Sequence, residues 1–150
     1  MEKNLKLIYW GTFITTFVGV LILYGIFGPS TMKKADLMSY LEQISPIVQQ
    51  TSTTVASMGR DPASAGLSSA KDMFQSFHKQ VAAINPPASL SGVHQELVES
   101  MGNYAKGFEL YEAAMKGNNE AKMKEANDLI SKGAGQLYEV SQKILKTATY

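Results

Sequence analysis

From Leu7 to Met32 the chain carries no charged side chain, a run of 26 residues bounded by Lys6 and Lys33. As a helix such a run is long enough to cross the roughly 30 Å hydrocarbon core of a bilayer, which takes about 20 apolar residues. Tyr9 and Trp10 stand near one end of it, Tyr24 and Phe27 near the other. Aromatic rings at both ends match the two interfacial belts of a membrane helix. A secretory signal has a shorter apolar core, about 7–15 residues, and then a small-x-small cleavage site. Gly28-Pro29-Ser30 is the alternative reading as such a site, but the apolar core before it is too long for a signal. A buried core helix fits poorly, because the run has no polar face. Residues 1–30 are therefore expected to form a retained transmembrane helix, a signal-anchor. The expected domain is 31–150.

Charge sets the expected orientation. Lys3, Lys6 and the terminal amine precede the run against Glu2, while Lys33 and Lys34 follow it against Asp36. That count leans towards a cytoplasmic N-terminus, with the C-terminal domain outside the cytoplasm on a single-pass chain. Of 14 basic residues, Lys3 and Lys6 precede the run, and of 13 acidic residues, Glu2 does, so twelve of each follow it. A balanced domain gives no reason to expect nucleic acid as a partner. The bilayer is the expected partner, together with a protein partner or a second copy. Thr15 and Gly19 form a small-x-x-x-small pair in the run, a spacing that lets membrane helices approach closely.

Beyond Ser30 the apolar spacing is helical throughout. Leu37, Leu41, Ile44, Val48, Thr51, Val55 and Met58 alternate in steps of four and three. Leu67 to Ile84, Val93 to Met115 and Met123 to Ile144 carry three more such stripes, each on one face of a helix. The breaks have chemical causes. Gly59 reads as a helix stop, with Asp61 and Pro62 opening the next helix. Pro86 and Pro87 end that helix, because each proline disfavours the helical region for the residue before it. Ser89 or Ser91 is expected to cap the third helix. Gly117 reads as its stop, and Asn118 or Asn119 as the cap of the fourth. Pro46 should kink or split the first. Short links favour antiparallel neighbours. The expected fold is all-α: a single N-terminal transmembrane helix followed by an antiparallel up-down-up-down four-helix bundle.

The residue inventory excludes several chemistries. With no cysteine there is no thiolate nucleophile, no Cys-based zinc site and no lipid anchor on a processed Cys. Neither a phosphate loop nor a Gly-x-Ser-x-Gly elbow occurs, and the Glu-x-x-His pairs of a di-iron bundle are missing. His78 is expected at the edge of a buried stripe. His94 is expected in a first helical turn as a surface or capping side chain, where the helix dipole favours the neutral ring. Joining His94 to a carboxylate as a metal site fails on spacing, since Glu96 points away. A haem held by one Met and one His is a further reading that spacing alone leaves open. The expectation is no enzyme and no cofactor. Glycine costs roughly 0.5–1 kcal/mol inside a helix, and Gly102, Gly107, Gly133 and Gly135 all fall in helical stretches. Gly133 lies on the apolar seam, where a neighbouring helix or a ring such as Phe74 or Tyr104 can come close. A small ligand cavity is the other reading of that gap.

The segment from Ile84 to Ile130, through Pro86, Pro87, His94, Leu97, Val98, Tyr104, Gly107 and Gly117, resembles helical domains of small exported or membrane-anchored bacterial proteins that are themselves uncharacterised. The resemblance implies a bacterial, extracytoplasmic helical domain and no catalytic residues. The leading expectation is a non-enzymatic, membrane-anchored interaction or accessory subunit of a bacterial envelope complex. The alternative is a ligand-binding, sensor-type bundle. No second apolar run follows the first, so it would have to act through a membrane partner.

Overall fold

A computed structural model describes residues 34–60 and 67–149, with side chains placed over 35–56 and 69–147. The uncharged run, with Thr15 and Gly19, lies outside them, as do Asp61 and Pro62. No helix of the described residues is long and apolar enough to cross a membrane. Those residues form α1 (Lys34–Arg60), α2 (Leu67–Ala82), a 3-10 turn η1 (Ala88–Leu90), α3 (Ser91–Gly117) and α4 (Glu120–Thr149), with no strand among them.

Side-chain pairs give the helix directions. Lys71 of α2 meets Glu112 of α3, while His78 lies against Gly102, so α2 and α3 run antiparallel. Glu96 pairs with Lys143 and Asn103 with Gln136, so α3 and α4 are antiparallel too. Tyr40 meets His94 and Thr51 meets Met101, so α1 runs parallel to α3. Consecutive helices thus alternate in direction.

The stripes account for the core. Leu37, Leu41, Ile44, Val48, Phe74, Phe77, Val81, Leu97, Met101, Tyr104, Phe108, Leu137, Val140 and Ile144 are all buried. An aromatic layer sits at its centre. Phe74 is fully buried. Its ring stacks on Phe108 at 4.5 Å and on Tyr104 at 5.1 Å, and Phe77 meets it edge-on at 5.7 Å. Offset stacking and edge contact are the arrangements a ring quadrupole favours.

The helix ends differ from the sequence expectation in two places. Gly59 lies inside α1, which runs to Arg60. Pro46 does not split α1. Proline removes the N–H that would reach the carbonyl of residue 42, but Glu42 and Pro46 are both exposed, so water can satisfy that carbonyl. Neither Ser89 nor Ser91 caps α3: the cap position is Leu90, without a side-chain bond, and the Ser91 hydroxyl donates back to Ala88 O at 3.0 Å. The 3-10 turn has displaced the cap, because Leu90, at 0% exposure, must turn inward.

Between α3 and α4 only Asn118 and Asn119 intervene. The left-handed residue is Asn118, at φ 45°, and not Gly117. Asparagine tolerates that conformation better than most side chains. Asn119 N–H reaches back to Ala114 O at 3.0 Å, closing the Schellman pattern that satisfies a helix end. The Asn119 side chain then accepts from Lys122 N–H at 3.0 Å and caps α4. Met115, expected on the core stripe, is 49% exposed, and Ala114 is buried instead.

Candidate functional site

Two features of the described residues depart from a uniformly packed bundle. The first is the seam between α3 and α4. A Cβ added at Gly107 would lie 2.7 Å from Ile130 Cγ1 and 3.2 Å from both Ala126 O and Ile130 N. One added at Gly133 would lie 3.1 Å from Ser100 O and 3.1 Å from the Tyr104 ring. The two backbones therefore touch where glycine removes the side chain. The buried Ser100 hydroxyl donates to Gly133 O at 2.8 Å, which ties one helix directly to the backbone of the other. Gly135 has open space where its side chain would stand. Outside the seam, Glu99–Lys132 and Glu96–Lys143 span the two helices at the surface.

The second feature is a buried polar pair. Tyr40 is 1% exposed and His94 7%. The Tyr40 hydroxyl lies 3.1 Å from His94 Nδ1, and the rings meet edge-on at 5.7 Å. No buried polar side-chain atom among the described residues lacks a partner. The buried Tyr40 hydroxyl needs an acceptor for its proton and Nδ1 is the one within reach, so Tyr40 O–H is assigned as donor to Nδ1, and the neutral ring carries its own proton on Nε2. Burial holds the imidazole below its ordinary value and pushes the Tyr40 phenol above its own, because each charged form would lose its water.

The expectation of a surface or capping His94 is thus corrected. Its first-turn position is as expected, but the side chain turns into the bundle, where Tyr40 covers it. The stripe of Leu37, Leu41 and Ile44 does not include Tyr40. Spacings of three and four put Leu37, Tyr40 and Ile44 on one face as well.

Glu112, whose side chain is 13% exposed, sits between Lys116 at 2.7 Å and Lys71 at 3.1 Å. Hydrogen bonds from Lys116 and then Lys71 hold its carboxyl below the ordinary carboxylate range. Among the described residues no three His, Asp or Glu side chains converge as metal ligands would. A cleft lined by Ile44, Val48, Leu97, Leu137, Val140 and Ile144 holds about 10 Å³, room for one water and far below the several hundred Å³ of a small-molecule site. Thr15 and Gly19 lie outside the described residues, and Gly133 makes its close contacts within the bundle.

No protein-family model matches the chain, and no curated protein or solved structure matches it.

Proposed function

We propose that the chain is a non-enzymatic, membrane-anchored interaction subunit, held by residues 1–30 with the helical domain of 31–150 outside the cytoplasm. The observation that carries this reading is the 26-residue uncharged run with aromatic residues at both ends. The packed core supports it from the other side. The cleft between α1, α3 and α4 has no room for a small molecule, which counts against that cleft as the binding site of a ligand sensor.

A bundle that buries its own stripes does not need a span in order to fold. The span then serves placement, or contact with another span through Thr15 and Gly19. Full-length protein should sediment with membranes and resist extraction by alkaline carbonate. Removing residues 1–30 should release a soluble helical domain. A mature N-terminus at Thr31 in the native host would overturn the anchor.

The contact has its own test. Gly19→Leu should weaken association, read by crosslinking in membranes, while insertion and helicity stay unchanged. Replacing the whole span with an unrelated apolar helix should abolish association. If association survives that exchange, the span is only a tether and the working surface is on the bundle.

A further inference from the structure

The bundle is not held together evenly. α3 and α4 are joined backbone to backbone at Gly107 and Gly133, whereas α1 reaches α3 through side chains. The polar links are Tyr40 to His94 near the start of each helix and, further along, Thr51 Oγ1 to Met101 Sδ at 3.6 Å. We propose that the Tyr40–His94 pair is a pH-sensitive latch, and that proton uptake by His94 releases the N-terminal part of α1 from α3.

The chemistry follows from the hydrogen bond. Neutral His94 offers Nδ1 as an acceptor to the buried Tyr40 hydroxyl. A proton arriving at Nδ1 removes that acceptor and places a cation at a 7% exposed site. Tyr40 could turn to accept from the new N–H, but its own O–H would then need another acceptor in the core. Both groups regain water if the first turns of α1 lift away.

The surroundings offer the cation little. α1 supplies Tyr40, and its Asp36, one turn earlier, is exposed. α4 supplies Lys143, already paired with Glu96 of α3, and Lys146 one turn further on. The 3-10 turn, Ala88–Leu90, has no titratable side chain. Of the titratable groups late in α2, His78 sits against Gly102, two turns along α3, and Lys79, in the last turn, carries the same sign as the new cation.

The sign is definite. His94 is held below its ordinary value by burial, so the released state binds the proton more readily than the latched one. The latched state is therefore favoured at neutral pH and loses ground as pH falls below about 6.5, the ordinary histidine value. The carboxylates protonate lower, near 4, which separates the two effects.

The chain has no cysteine, so spin labels can be placed at will. Ser39→Cys on α1 and Asp128→Cys on α4 are both exposed positions. In the full chain in detergent, the distance distribution should be single at pH 7.5 and gain a longer component at pH 5.0. His94→Asn places an amide oxygen near the Nδ1 position and does not titrate, so it should show one distribution at both values. The same distribution at both pH values in the chain that retains His94, or the same response in His94→Asn, overturns the latch. Should His94→Asn fail to fold, the NMR titration of the His94 ring decides. Its midpoint must fall below the ordinary histidine value and coincide with the change in distance, and a mismatch overturns the latch.

Discussion

Phe74→Ala is expected to remove about 3–5 kcal/mol from the stability of the bundle, the range for truncating a buried aromatic core residue. Phe74 lies between Phe108 and Tyr104 with Phe77 at its edge, so truncation opens a cavity lined by three rings. Those rings come from α2 and α3, and their packing fixes the spacing of those helices. Little relaxation is available, because Tyr104 also presses on Gly133. Chemical denaturation followed by circular dichroism gives the number. The midpoint of thermal unfolding should drop on the order of 10 °C. A loss below 1 kcal/mol would mean that the aromatic layer does not organise the core.

Gly107→Leu should cost on the order of 1–3 kcal/mol through overpacking. Its Cβ alone would press on Ile130 and on the backbone of Ala126, and backbone yields less readily than a side-chain tip. Gly133→Leu should behave alike, against Ser100 O and Tyr104. Gly135→Ala is the matched control. It meets nothing within 4 Å and should gain up to about 1 kcal/mol in helix propensity. Equal tolerance at Gly107 and Gly135 would show that the two helices do not meet backbone to backbone. The same denaturation series measures all three.

Much of the bundle was legible in the order of residues. The 3.6 period placed Leu37, Phe74, Leu97, Tyr104 and Leu137 on buried faces, and Pro86 and Pro87 marked a true break. What was not legible depended on distance in space. The apolar period set Gly133 on the seam, with Tyr104 as a candidate neighbour, but nothing in the order of residues set Gly107 apart from Gly135; only Ile130 and Ala126 across the seam do that. Burial of His94 likewise depends on Tyr40, 54 residues away. The Ser89 and Ser91 caps failed for a related reason. Local hydrogen-bonding preference is worth about 1 kcal/mol, and burying Leu90 outweighs it. The expected span lies outside the described residues.

The two-residue connection through Asn118 and Asn119, with the glycine seam that follows it, bears on how the chain acquires its structure. The partners across α3 and α4 are near one another in sequence, Gly107 with Ile130 and Ser100 with Gly133, so little loop entropy opposes their meeting. α1 must wait for partners about fifty residues away, at His94 and Met101. The α3–α4 hairpin is therefore expected to form early and α1 to dock later, so that truncations across the α3–α4 seam slow folding while truncations in α1 mainly speed unfolding. In a chain synthesised from its N-terminus, α1 emerges first, and Tyr40 and Thr51 remain without His94 and Met101 until α3 has left the ribosome. Its stretch from Gln43 to Gly59, which has no charged side chain, spends that interval uncovered, where a chaperone or a neighbouring copy can reach it.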